Sequence, residues 1–259
     1  MIVDEPLRVF VVSLVALWIS ARAGMMVATR LRKVGEDVRE RYGLILAASL
    51  TLLGLIVGFT FSMAVSRYDQ RKNLEEAEAN AIGTEYLRAD LLPAADAAKV
   101  RALLRAYLDE RVKFYVTHEE EPLQQVNART AQLQGELWSS LVVPSLAQQT
   151  PVMALVVSGM NDVINSQGYT QAAWWNRIPV AAWLLMLAIA VACNLLLGYG
   201  VQNFRVEGFL LPILPVILSI SFLLIADIDS PRKGMISVHP QNLESLAESL
   251  HAGAPAASK

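Results

Sequence analysis

Cysteine and histidine are scarce in this sequence of 259 residues, which has one cysteine and three histidines. A lone cysteine, Cys193, cannot form a disulfide within the chain. The histidines, His118, His239 and His251, stand far apart, and no zinc-protease, hydrolase-elbow or phosphate-binding glycine motif is present. These absences argue against an enzyme and predict neither a metal site nor a cofactor.

Charge is also scarce, since charged residues make up 18% of the chain and hydrophobic residues 54%, with a net charge of −2. No run of lysine and arginine is dense enough to predict a nucleic-acid surface. The apolar residues are concentrated in blocks, which is typical of membrane spans. The expected partner is therefore the lipid bilayer, and nucleic acid is not expected.

One block, residues 43–66, contains 24 residues without an ionisable side chain. A helix needs about 20 apolar residues to cross the hydrocarbon core of a bilayer. No helix breaker separates this block from the polar residues that follow. The pattern predicts a span that leaves the bilayer at Arg67 and continues as a polar helix.

Three further blocks predict spans: residues 7–27 as the first, 178–204 as the third and 208–226 as the fourth. The first needs Arg22 at the interface or facing a protein partner. Residues 1–23 have the alternative of a cleaved signal, although Asp4 and Glu5 do not suit one. Trp174 and Trp175 are predicted interface anchors of the third span. Within that span, Asn194 is expected to bond to a neighbouring helix, with a pore role as the alternative.

Residues 67–177 lack a span and have helical periodicity without strand alternation. Predicted helix breaks fall at Pro93, at His118 to Pro122, at Pro144 and at Pro151. The fold class is therefore all-α, with four transmembrane helices and a helical-bundle insert between spans two and three. The predicted domains are residues 1–66 (spans one and two), 67–177 (helical region), 178–227 (spans three and four) and 228–259 (a polar, frayed tail).

The second span has small residues at every fourth position, a spacing that predicts close approach of another helix, in the same chain or in a neighbouring copy. Aromatic residues flank this stripe. The residues predicted to pack or to line a pore are Gly54, Gly58, Phe59, Phe61, Ser62 and Ser66.

Charged residues mark the points where the second and fourth spans leave the membrane. Arginine and carboxylate side chains there are predicted to pair, because the guanidinium fork matches a carboxylate. The alternatives are a stabilising interfacial network and an ion vestibule. The members are Arg67, Asp69, Arg71, Arg88, Asp90, Asp227 and Asp229.

Asn80, Gly83 and Thr84 lie within about one helical turn of each other in the polar continuation of span two. A glycine in such a place permits close backbone approach. These three residues predict a tight helix crossing.

Lysine and arginine counts in short connectors indicate membrane orientation. Seven lie in the connectors between spans one and two and between spans three and four, against three on the other side. This count places the helical region outside the cytoplasm of a bacterial inner membrane. Four further positive residues that flank the membrane on the second side make the counts equal.

Several motifs carry a family likeness: Ser66 to Asp69, Glu78 to Thr84, Leu87 to Asp90 and Asp227 to Asp229. Together with the surrounding sequence they resemble the bacterial bestrophin-like membrane proteins, a family of unknown function. The resemblance covers nearly the whole chain and implies a four-span architecture like that of bestrophins, which are pentameric, calcium-gated anion channels. It also implies a cytosolic helical domain, opposite to the charge count. Only Asp227 and Asp229 stand where bestrophins carry a dense acidic calcium cluster, so calcium is not predicted.

The leading functional hypothesis is a self-associating, multi-pass membrane protein with an ion-conducting pore lined by span two. The alternative is a non-conducting scaffold or sensor whose helical region binds a partner.

Overall fold

The protein, as a computed structural model, is described for residues 5–30, 36–201 and 208–252, with side chains for all of these except 36–41. These residues form eight α-helices and one 3₁₀ turn, and no strand occurs among them. The helices are α1 (Pro6–Arg30), α2 (Glu36–Arg88), α3 (Ala94–Val116), α4 (Glu120–Ala147), α5 (Pro151–Trp175), α6 (Val180–Gly200), α7 (Ile213–Asp229) and α8 (Gln241–Ala252), and the 3₁₀ turn is Ala89–Leu91. The predicted all-α fold is confirmed.

Four stretches named in the predictions lie outside the described residues. They are the start of the chain, 1–4, parts of the connectors, 31–35 and 202–207, and the end of the tail, 253–259.

The helices form two compact units. The membrane unit comprises Met1–Tyr68 and Arg177–Ser237, and therefore contains α1, the first part of α2, α6 and α7. The helical unit comprises Asp69–Asn176 and Val238–Lys259, and contains the rest of α2, α3, α4, α5 and α8.

In the described part of the chain, three helical stretches are long and apolar enough to cross a membrane: Pro6–Arg30, Tyr42–Leu91 and Pro151–Gly200. Each of the last two has 50 residues, so only their uncharged portions, starting at Gly43 and at Ile178, are assigned to the bilayer. The predicted fourth span corresponds to α7, which has 17 residues. Its length of about 25 Å is at the lower end of what a spanning helix needs.

Helix α1 packs against both α6 and α7 in the membrane unit. Its crossing with α6 is close: a Cβ atom at Gly24 would collide with the Leu195 carbonyl, and one at Gly198 with the Ala21 carbonyl. Ser20 Oγ also donates a hydrogen bond to the Val191 carbonyl at 2.7 Å. In lipid, such backbone proximity stabilises a helix pair through van der Waals contact and hydrogen bonding.

Asn194 does not bond to a neighbouring helix, so that prediction is wrong. Its Nδ2 donates to the Ala190 carbonyl of the same helix at 2.8 Å, and its buried Oδ1 has no hydrogen-bond partner among the described residues. The local bond wins because a carbonyl one turn earlier is always within reach of a helical side chain.

The helical unit has its own core, in which α3 packs against α4. The fully buried residues of this pair include Val100, Leu104, Tyr107, Leu133 and Leu137. They recur at spacings of three and four, as the core-facing residues of a helix do.

Trp174 belongs to the core of the helical unit, so its predicted role as an interface anchor is wrong. Its ring centroid lies 5.0 Å from that of Phe114 and 5.4 Å from that of Tyr115. Trp175 remains exposed. Edge-to-face packing of three rings stabilises the contact between α3 and α5.

Two predictions about local order are also wrong. Pro144 does not break α4, which continues to Ala147, because a proline removes a single intrahelical bond and the Gln148 N–H still donates to the Pro144 carbonyl. The tail is not frayed over residues 241–252, which form α8 with Leu243 fully buried.

Candidate functional site

The predicted packing stripe of α2 is exposed in the single chain. Gly54, Gly58, Ser62 and Ser66 are all exposed, and no atom lies within 4 Å of a Cβ built at either glycine. The opposite face of α2 is covered, with Leu53, Thr60 and Ala64 buried. The stripe therefore does not cross another described helix of the same chain, which leaves a neighbouring copy as its predicted partner.

Phe59 and Phe61 are exposed as well. Phe59 directly follows Gly58, and Phe61 directly precedes Ser62. Because adjacent residues of an α-helix project about 100° apart, the two rings lie on opposite flanks of the stripe. The exposed surface of α2 thus combines small residues, hydroxyl groups and two flanking aromatic rings.

Asp229, at the end of α7, is the centre of an ion-pair cluster in the membrane unit. Arg177 Nε lies 3.0 Å from Asp229 Oδ2, and Arg67 Nη1 lies 3.7 Å from Asp229 Oδ1. The Ile178 N–H donates to the same carboxylate at 3.2 Å. The structure therefore brings Arg67 and Asp229 together, as the predicted network has them, and adds Arg177, which sequence reasoning did not include.

Asp227 has a different role from its neighbour. Its oxygens accept hydrogen bonds from the N–H groups of Met235, at 2.8 Å, and Ile236, at 2.9 Å. A Cβ at Gly234 would collide with the Asp227 carbonyl, so the loop after α7 closes tightly on this residue. Asp227 holds that loop rather than an arginine.

These two aspartates do not fit a calcium ion. Two guanidinium groups already neutralise Asp229, and both Asp227 oxygens accept backbone N–H bonds. Calcium requires about six to eight oxygen ligands. No cluster of three or more metal-ligating side chains occurs in the described ranges.

The other predicted members of the exit network lie in the helical unit with different partners. Asp90 pairs with Arg101 of α3. Arg88 lies 3.9 Å from Glu85 and donates to the Leu155 carbonyl at 3.4 Å. Arg71 is buried and Asp69 is exposed. These four residues therefore do not form a single ring of alternating charges.

Gly83 lies at a helix contact, whereas Asn80 and Thr84 are exposed. A Cβ at Gly83 would lie 3.2 Å from Leu246 Cδ1 of α8. The partner helix was not foreseen, although Leu243, Leu246 and Leu250 recur at helical spacing in the tail.

A buried charge pair joins three helices of the helical unit. Glu78 of α2 accepts from Arg111 Nε of α3 at 2.5 Å, and neither side chain is exposed. The second Glu78 oxygen accepts a hydrogen bond from Tyr115 Oη of α3 at 3.4 Å. It accepts another from Thr170 Oγ1 of α5 at 3.1 Å. The sequence indicates that Arg111 is buried, because it lies three residues after Leu108 and four before Tyr115 on the core face of α3. It does not indicate that Glu78 is the partner.

This environment shifts the pKa values of its members. Burial, and then the Glu78 charge, raise the pKa of the Tyr115 hydroxyl above its ordinary value. Burial acts to lower the pKa of Arg111, but Glu78, together with Tyr107 and Tyr115, acts in the opposite direction, and the net result is a raised pKa. Glu78 and Arg111 are therefore a structural connection between α2 and α3, made by a short contact between two fully buried side chains.

Glu75 caps the N-terminus of α8. It accepts from the N–H groups of Asn242 and Leu243, both at 2.9 Å, and from Asn242 Nδ2 at 2.6 Å. A carboxylate at a helix N-terminus satisfies free N–H groups and complements the helix dipole. The cap comes from a residue about 167 positions away, which no local pattern reveals.

Comparison with known proteins agrees with this architecture. The Bestrophin-like domain family matches residues 10–243. Among curated proteins, no relative matches the sequence.

Solved structures share the fold. A bacterial bestrophin homologue from Klebsiella pneumoniae has 16% identity and a TM-score of 0.63, over 95% of this chain and 98% of that one. A variant of that homologue has 15% identity and a TM-score of 0.62, over 94% and 98%. Another structure, of a membrane protein, has 14% identity and a TM-score of 0.64, over 94% and 97%. At 14–16% identity, this similarity shows a shared fold and does not by itself show a shared function.

Proposed function

Because this chain belongs to the bestrophin-like family, we propose that several copies assemble in a bacterial cytoplasmic membrane around an ion-conducting pore lined by α2. The observation that carries the proposal is the two-sided character of α2. One face packs on the chain's own membrane unit, and the other presents Gly54, Gly58, Ser62 and Ser66 without a partner helix among the described residues.

The chemistry of the exposed face suits a pore wall better than a lipid surface. Small residues let helices of neighbouring copies approach, and hydroxyl groups offer hydrogen bonds to water and ions. Neither lysine, arginine, aspartate nor glutamate occurs within residues 43–66, so no ring of charge selects ions there. The narrowest part of the proposed pore would instead be a hydrophobic constriction formed by the side chains of Phe59 and Phe61.

Reconstitution of the purified protein into liposomes tests the pore. Ion flux is expected, and the mass of the detergent-solubilised particle is expected to be a multiple of 28.4 kDa. A protein that is monomeric and passes no ion under any voltage or ligand tested would refute the proposal.

Two arguments disagree about the side of the membrane on which the helical unit lies. The charge count favours the outside, and the family likeness favours the cytosol. Single cysteines at exposed Ala128 and Glu248, in a Cys193→Ala background, decide between them. Labelling of intact cells by an impermeant reagent would place the helical unit outside, whereas protection would place it in the cytosol. A cysteine at Asp37, between spans one and two, is the matched control and must give the opposite result.

A second function is favoured by one surface of the helical unit. Residues at the end of α4 and the start of α5 expose large apolar side chains, including Val143 at 74% and Leu146 at 68%. No charged residue occurs between Glu136 and Asp162. Such a surface is typical of protein interaction sites, so the alternative is a scaffold or sensor that binds a partner there.

The alternative makes a different prediction for the same reconstitution. Under the alternative the reconstituted protein passes no ions, and Val143→Asp abolishes binding of the partner protein. Under the pore proposal, the substitution that matters for flux is on α2.

A further inference from the structure

Glu85 is a carboxyl group enclosed at the contact between α2 and α5 in the helical unit. Its side chain is fully buried, and neither of its oxygens has a hydrogen-bond partner among the described residues. The group fits because α5 has a glycine opposite it: a Cβ at Gly159 would collide with Glu85 Oε2 and with Arg88 Nη1. The contact between α2 and α5 therefore depends on a glycine at position 159, which leaves space for the Glu85 carboxyl group.

The charged groups near Glu85 are few and are mostly engaged elsewhere. On its own helix, Arg88 lies 3.9 Å away and shares its guanidinium with the Leu155 carbonyl. On α5, Asp162 adds a repulsive negative charge. From α3, Arg105 donates to the Tyr86 hydroxyl at 3.1 Å, and Arg101 pairs with Asp90 of the 3₁₀ turn.

An ionised carboxylate without hydrogen bonds is unfavourable in such a place, since burial removes its hydration. Burial raises the pKa of Glu85 from its ordinary value of 4.5 to about 8, with Arg88 lowering it and Asp162 raising it further. Residue 85 follows the charged exit of span two by some 18 positions, so the group lies outside the bilayer. At neutral pH the closed contact therefore holds a neutral carboxylic acid.

We propose that Glu85 is a proton-operated switch of the contact between α2 and α5. With its proton bound, the carboxylic acid fits against Gly159 and the contact is closed. Opening the contact exposes the group to water, where it releases the proton to solvent as a carboxylate. No bond other than the O–H bond breaks, and Arg88 is freed to pair with the new charge.

The direction of the pH effect follows from the two protonation states. The closed form binds one proton more than the open form between about pH 4.5 and about pH 8. Raising the pH within this window therefore favours opening, by roughly tenfold in the opening equilibrium for each pH unit. Above the window both forms are ionised, and the dependence ends.

Hydrogen–deuterium exchange of the full-length protein in detergent tests the switch. Peptides that cover residues 151–163 are followed from about pH 5 to about pH 9, with correction for the intrinsic exchange rate, which itself depends on pH. Their protection should fall roughly tenfold per pH unit up to about pH 8. Glu85→Gln cannot ionise, so its protection should be independent of pH. The control Glu76→Gln, at an exposed position of the same helix, should behave as the unsubstituted protein does.

A second variant keeps the test decisive if Glu85→Gln fails to fold. Arg88→Gln removes the cation that lowers the pKa of Glu85, so the upper end of the pH window should move to higher pH. Protection from exchange that does not change with pH in the unsubstituted protein would overturn the proposal. So would an unchanged pH dependence in Glu85→Gln, or an unmoved window in Arg88→Gln.

Discussion

Glu78 and Arg111 form a charge pair in the interior of the helical unit, with 2.5 Å between Glu78 Oε1 and Arg111 Nε. Neither side chain is exposed, and Tyr115 and Thr170 complete the coordination of the carboxylate. One acidic side chain of α2 thus holds α3 and α5 in place. Several consequences of this and of other contacts are open to measurement.

Removing Glu78 should destabilise the helical unit strongly. Glu78→Ala leaves a buried guanidinium without its partner, which costs about 3–5 kcal/mol in comparable cases. The free energy of unfolding in detergent, from denaturant titration, measures the effect. Lys113→Ala breaks the solvent-exposed pair with Glu110 and is the control, with an expected cost below about 1 kcal/mol. Equal losses for the two variants would contradict a structural role for the buried pair.

Asp229→Asn should weaken the membrane unit, because Arg67 and Arg177 lose a shared anion while the Ile178 N–H keeps an acceptor. The expected loss is about 2–4 kcal/mol, since the carboxylate is buried but both arginines are partly solvated. Thermal unfolding in detergent measures it. Asp90→Asn, at a pair with a largely exposed carboxylate, should change stability by less than about 1 kcal/mol.

Gly198→Leu should disrupt the membrane unit itself. Its side chain would meet the Ala21 backbone, which cannot move without separating α1 from α6. We expect a lower melting temperature and loss of folded monomer. A melting temperature within the error of the unsubstituted protein would contradict the close crossing.

Gly58→Leu should leave the folded chain intact and affect only assembly, because no atom of the described residues lies within 4 Å of a Cβ at this position. Under the pore proposal the particle mass falls towards one copy and ion flux is lost. Under the scaffold alternative assembly falls and no flux is altered. Helix content by circular dichroism should equal that of the unsubstituted protein, and a loss of it would make Gly58 a folding residue instead.

Glu85→Gln should raise the stability of the helical unit at neutral pH. The raised pKa means that the folded state takes up a proton that the unfolded state lacks above about pH 4.5, so unfolding becomes easier as pH rises to about 8. Removing this dependence is worth on the order of 3 kcal/mol at pH 7, because each pH unit above about 4.5 contributes about 1.4 kcal/mol. Denaturant titrations at about pH 5 and about pH 8 should differ for the unsubstituted protein and coincide for the variant.

Several features of the fold could be predicted from periodicity and composition alone. The uncharged run at 43–66 and the three-and-four spacing of residues 100–115 each predict a helix, because a helix must bury or expose its residues with a period of about 3.6. The family motifs, such as Glu78 to Thr84, were also readable. Their roles were not, since Glu78 needs a partner 33 residues away and Glu75 one 167 residues away.

Local sequence therefore determined which segments are helical, which of them are apolar enough for a membrane, and to which family the chain belongs. Tertiary structure decided which charges pair: Arg67 with Asp229, Arg88 between Glu85 and Leu155, Asp90 with Arg101. It also decided that Gly24 and Gly198 pack against backbone while Gly58 stays open. The physical reason is that backbone propensity and hydropathy act within a few residues, whereas ion pairs and close helix crossings depend on which surfaces the folded chain brings within a few ångströms.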